Sequence, residues 1–199
     1  MPRDATLTKE RLLRAAERRF AHDGVAGARM IDVTRDAGQA NESAVSYHFG
    51  SRDGLLGAIV AKHMAAMEER RTIPADGDLG DLVRATVEPT ARLLKTADGC
   101  DFLRIIDQLA GYSGIGARAF ADPLRGTVLE QQLLALQALL RPRLGKRVAD
   151  ERVQLMVLFL TGSLAERARA IEAAKGATGL GHDRFVEQLV LMLTGALAA

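Results

Sequence analysis

The amino-acid sequence predicts an all-α protein, and three observations carry that prediction. Apolar residues recur at helical spacing almost throughout, no run shows the period-two alternation of a half-buried strand, and clusters of Gly, Pro, Asp and Asn punctuate the chain at helix-length intervals. At 199 residues the chain can form one good domain, or a small module joined to a larger one.

Thr8 precedes a first helix carrying Leu12, Leu13, Ala16 and Phe20 on one side and stopping before Gly24. Residues 29–37 form a short helix with Met30, Val33 and Ala37 inward, closed by Gly38. Asn41 can cap a third short helix through Phe49. Ser51, ahead of Arg52 and Asp53, opens a longer one carrying Leu55, Leu56, Ile59, Val60, His63 and Met67. TIPADGDLGD at 72–81 is the candidate boundary between these elements and the longer helices beyond. Those run over about 79–97, with a kink expected at Pro89, and over 102–112. A further helix is capped by Asp122 with Pro123 at its first position and ends at Pro142 near Arg141. The last two cover 150–175 and 183 to the end, joined by a loop at 176–183.

Composition narrows the function classes. With 48% hydrophobic and 26% charged residues, the chain is that of a globular protein and not a disordered tail. The single cysteine, Cys100, gives neither a disulfide framework nor a cysteine metal site and reads as an apolar packing residue in a reducing cytoplasm. MPRDATLTKERLLRAAERRF lacks the apolar run of a secretory signal, and the longest apolar runs, near 157–160 and 189–193, are too short to span a bilayer. No membrane association is expected.

His22, His48, His63 and His182 are scattered, so no metal is expected. GYSGIG at 111–116 fails both the G-x-S-x-G pattern and the phosphate-loop pattern. Glu166, Arg167 and Arg169 read as a solvated helix face or an interface ion pair. With no acid–base pair or nucleophile constellation, neither catalytic residues nor a cofactor are expected.

Net charge is +2, and residues 1–56 hold nine Lys/Arg against eight Asp/Glu. A nucleic-acid role must therefore rest on where charges point. Three helices lie within about fifty residues, the last two joined by Gly38-Gln39-Ala40-Asn41, and this describes a helix-turn-helix. Phe20, Met30, Val33, Ala37, Val45 and Phe49 supply its small core. The third helix is then free to enter a major groove, with Asn41 at its start and Glu42, Ser43 and Ser46 outward. Glutamate can accept from the cytosine amino group, and serine is permissive. Tyr47 and His48 suit phosphate oxygens, and Arg29 and Arg52 add charge at the flanks.

RLLRAAERRFAHDGV, IDVTRDAG and AVSYHFGSRDGLL, across residues 8–60, resemble the DNA-binding domain of the TetR family of bacterial transcriptional regulators. The resemblance implies that Tyr47, His48, Arg29 and Arg52 contact backbone phosphates and that Glu42, Ser43 and Ser46 face bases. It also implies repression as the mode of regulation, and a small-molecule effector that shifts the DNA-binding heads.

VQLMVLFLTGSLA and FVEQLVLMLTGALAA carry more apolar surface than one core-facing stripe requires. Paired with a second copy across a two-fold axis, they would bury the excess as a four-helix interface, where Gly162 and Gly195 permit close approach. Met64, Met67, Phe102, Leu109, Tyr112, Phe120 and Phe159 describe either an ordinary core or, with the resemblance, the lining of an effector pocket.

The sequence thus divides into a helix-turn-helix domain over 1–52 and a helical regulatory and dimerisation domain over 53–199. The expected protein is a cytoplasmic homodimeric regulator, binding double-stranded DNA at a palindromic operator and an unidentified small molecule. The rival is a helical small-molecule-binding protein or enzyme whose front three helices are structural.

Overall fold

The structure, a computed structural model, describes residues 2–111, 124–173 and 179–199. Among these residues there are nine α-helices and no strand: α1 Pro2–Asp23, α2 Met30–Asp36, α3 Ser43–Phe49, α4 Arg52–Glu68, α5 Leu79–Ala91, α6 Ala97–Gly111, α7 Val128–Leu144, α8 Lys146–Ala173 and α9 His182–Ala198. The expected cap at Asp122 and Pro123, the segment after Gly111 in GYSGIG, and Tyr112 and Phe120 lie outside the described residues.

Five elements depart from the sequence expectation. Helix α6 begins at Ala97, five residues earlier than expected. Helix α1 begins at Pro2, so Thr8 lies inside it; nothing between them breaks a helix, and proline is well suited to a first turn. Helix α7 is capped by Thr127, whose hydroxyl accepts the Glu130 amide at 3.1 Å, and it runs past Pro142 to Leu144. Helix α8 starts at Lys146, four residues earlier than expected. Helix α5 does not kink and continue past Pro89: it ends at Ala91 and tightens into a 3-10 turn over Arg92–Lys95. Pro89 has no N–H to give the Ala85 carbonyl four residues back. Gln132 of α7, fully buried, supplies the missing donor, its Nε2 reaching Ala85 O at 3.1 Å and Thr72 O at 2.8 Å.

Helix α1 packs on α2, α4 and α6; α6 lies along α8, α8 along α7 and α9, and α5 between α7 and α9. The buried apolar side chains form one continuous cluster running from Leu12 to Leu197. Helix α4 joins the front three helices to the rest, burying Leu55, Leu56, Ile59 and Val60. Phe20, Val33, Ala37 and Val45 are buried in the front core, with Met30 and Phe49 half-buried against it. No helix among the described residues is long and apolar enough to cross a membrane.

On α8 the buried stripe is Ala149, Val153, Met156, Leu160, Leu164 and Ala168, the three-to-four spacing of one helix face. Leu155, Leu158 and Phe159 fall off that stripe and are about half exposed, as are Leu191 and Met192 on α9.

Candidate nucleic-acid interface

Helix α3 presents its polar face to solvent. Asn41, Glu42, Ser43 and Ser46 are exposed, Tyr47 is 82% exposed, and His48 is half-buried, while Val45 faces inward. Glu42, not Asn41, takes the cap position of the helix; Asn41, one residue earlier, accepts the Ser43 amide at 3.0 Å through its side chain and so satisfies the first helical N–H. Glu42 makes no capping bond with its side chain, which leaves its carboxylate free to accept. The Tyr47 and His48 rings meet edge to face at 4.9 Å, fixing the phenol and imidazole side by side. Asn41, Ser43, Tyr47 and His48 line one groove of about 550 Å³ with Ala5 and Thr8 of α1. Arg29, just ahead of α2, is exposed and pairs with Asp32 at 3.0 Å.

The α3–α4 corner is tight. Gly50 adopts a φ of +76°, a conformation that glycine takes without strain. Ser51 caps α4 by accepting the Gly54 amide at 3.0 Å. A Cβ on Gly54 would stand 2.0 Å from the Phe49 carbonyl oxygen, so glycine is required there for α4 to start directly behind α3.

Arg52, expected at a phosphate, is engaged within the head in this structure. It is half-buried, donates to the Val25 and Ala28 carbonyls, and lies over the Phe20 ring at 5.3 Å. A guanidinium at the start of α4 sits beside the carbonyls of the α1–α2 turn, which have no helical partner. Arg52 thus positions α1 and α2 against α4.

Three contacts fasten this front unit to the body, and sequence reading missed all of them. Gln108 of α6 accepts the Val25 amide at 2.7 Å and donates to Phe20 O at 3.3 Å. His22, at the end of α1, meets Asp101 at 3.1 Å and the buried Arg104, which also bonds Glu172 of α8. Burial raises the Asp101 carboxyl above its ordinary value, against the opposing pull of His22 and Arg104. Glu17, 2% exposed, contacts His63 Nε2 and receives Lys62 Nζ at 2.9 Å. Burial alone would raise the Glu17 carboxyl; the hydrogen bonds and charges of His63 and Lys62 outweigh it and leave it below its ordinary value. His63 in turn stacks on Phe102 of α6 at 4.2 Å, with the rings 11° from parallel. Glu17 had a sequence signal: it falls on the apolar stripe of Leu13, Ala16 and Phe20. Gln108 had none.

Of the expected pocket residues, Met64, Met67, Phe102 and Leu109 are buried in the continuous core. Phe159 is not buried with them: it stands next to the α8 stripe and is 47% exposed. Behind Met67 lies a polar knot. Arg71 donates to Thr86 O at 3.2 Å, Gln132 Oε1 at 3.1 Å and Thr90 Oγ1 at 3.0 Å, and its pKa is pushed down to about 10 by burial. Among the described residues no group of three or more His, Cys, Asp or Glu could hold a metal ion.

A small helical head with an exposed third helix, set on a larger helical body, is the fold of TetR-family transcriptional regulators. Two solved structures share it: SCO7222, a TetR from Streptomyces coelicolor, at 17% identity and a TM-score of 0.52 over 95% of this chain and 97% of that one, and the fatty acid degradation regulator FadR from Bacillus halodurans, at 15% identity and a TM-score of 0.62 over 94% and 95%. A curated relative, the HTH-type transcriptional repressor SCO4008 of Streptomyces coelicolor, is 32% identical over 76 residues. That match spans 38% of this chain and 38% of the repressor. No family model matches the chain.

Proposed function

We propose that the chain is a transcriptional regulator: residues 1–52 bind double-stranded DNA, and residues 53–199 dimerise and sense a small molecule. The observation that carries the reading is the face of α3. An 82% exposed tyrosine beside a histidine, at the end of a helix offering Glu42, Ser43 and Ser46 outward, has no packing role, whereas phosphates and base edges would use each group. The fold shared with known regulators, and the partial match to a repressor, favour repression in the cytoplasm over enzymatic activity.

The homodimer forms through α8 and α9. Leu155, Leu158, Phe159, Leu191 and Met192 make an exposed apolar surface that a second copy would cover. Such a dimer presents two heads and calls for a palindromic site. The effector acts by preferring one spacing of the heads, since a ligand binding both arrangements equally shifts nothing. The fastening of α6 to α1 gives it a route.

Selection of bound duplexes from a random DNA pool tests the reading. A palindrome should be enriched and lost at raised salt, and Tyr47→Ala should lose it while keeping the fold. Sedimentation of Phe159→Glu/Met192→Lys should give a folded monomer. A well-folded wild-type dimer that enriches no sequence would sink the DNA assignment.

A further inference from the structure

Helix α1 carries Arg11, Arg14 and Arg18 exposed on one face, the spacing that lines side chains up along a helix. Among the described residues none of the three forms an ion pair. Three carboxylates line the groove they border: Asp23 and Asp36 share Arg19, at 3.1 and 2.6 Å, and Glu172 takes Arg104. Hydrogen bonds from those arginines hold the Asp36 and Glu172 carboxyls below their ordinary values, with a smaller contribution from the charge of Arg18. Glu10 adjoins the lower end of the row. The groove measures about 800 Å³, and an excess of guanidinium charge lies along it.

The row starts at the DNA-facing end of the molecule. Thr8 lines the same groove as Asn41 and Tyr47. At the helical rise, Arg11, Arg14 and Arg18 stand about 5, 9 and 15 Å further along α1. The stripe therefore climbs away from the α3 surface along the side bordered by the end of α2. Arginine forks match phosphate oxygens bidentately and read no base.

We infer that Arg11, Arg14 and Arg18 form a second DNA-contacting surface, which grips the phosphate backbone of duplex flanking each operator half-site. The inference rests on the DNA-binding reading above and extends it from α3 to the side of α1. The stripe supplies affinity without sequence information and makes binding depend on the length of the duplex beyond the recognised bases.

The test compares the wild-type dimer with Arg11→Gln/Arg14→Gln/Arg18→Gln on two probes: the selected operator trimmed to its half-sites, and the same duplex extended by one helical turn at each end. Wild type should bind the extended duplex more tightly. The variant should lose that gain, about tenfold at moderate salt, with the slope of log affinity against log salt shallower by about 0.9 for each phosphate contact removed. On the trimmed duplex the two proteins should agree, and the Arg→Lys triple variant should recover most of the gain. Equal binding and equal salt slopes on the extended duplex would overturn the inference, as would an equal loss on both probes, which would place the arginines at the half-sites. Failure of wild type to bind either probe would instead overturn the DNA reading itself, and Tyr47→Ala, expected to weaken both probes alike, separates the two failures. All three side chains are exposed, so the melting temperature of the variant should match wild type and tie any loss to DNA contact.

Discussion

Gln108 on α6 holds the turn after α1 from both sides, accepting the Val25 amide at 2.7 Å while donating to the Phe20 carbonyl at 3.3 Å. One side chain of the body thereby closes two backbone groups of the head. Gln108→Leu keeps the volume and removes both bonds, and is expected to cost about 1–3 kcal/mol in urea denaturation. Operator affinity should change in the same variant, because the end of α1 loses its seat on α6.

Arg52 and Tyr47 lie five residues apart and should behave oppositely. Arg52→Ala removes the clamp on the Val25 and Ala28 carbonyls, and should lower stability by about 1.5–3 kcal/mol together with DNA affinity. Tyr47→Ala, at an exposed site, should leave stability within about 0.5 kcal/mol and lower DNA affinity alone. Denaturation and DNA titration of the two variants in parallel check this; an Arg52→Ala protein as stable as wild type would refute the clamp.

Glu17 gives stability an acid limb. Its folded carboxyl lies below the ordinary value of 4.5, so its contribution is fully present above that pH and is lost as pH falls through the lower, folded value. Glu17→Gln should flatten this limb. Glu17→Ala, which leaves His63 and Lys62 without their carboxylate, should cost about 3 kcal/mol near neutral pH. Thermal melts between neutral and acid pH report both effects.

Gln132 stands in for the amide that Pro89 lacks. Gln132→Leu should strand the Ala85 and Thr72 carbonyls and take an acceptor from Arg71. The expected cost is about 2–4 kcal/mol, read from the denaturant midpoint. Restoring the α5 donor with Pro89→Ala in the same background should recover part of it, since the backbone N–H gained by that substitution can then serve Ala85 O.

The sequence by itself determined what is local. The all-helical character, the short helices around Gly38 and Gly50, the Ser51 cap and the outward face of α3 all follow from periodicity and turn chemistry within a few residues. The surplus apolar surface of the last two helices was legible as well, because they carry more apolar residues than one stripe can bury.

Tertiary structure alone decided which apolar or charged side chain went where. Met156 and Phe159 are both apolar and three residues apart, yet only the packing of α8 against α6 and α7 turns the first inward and leaves the second outside. Arg52 had the chemistry of a phosphate contact, and the carbonyls of a turn more than twenty residues earlier claimed it. Pro89 marked a defect in α5, but its remedy came from Gln132, across a helix interface. Local rules fix backbone geometry because they act within a turn or two; polar partners separated by tens of residues meet only after the hydrophobic core has brought their helices together.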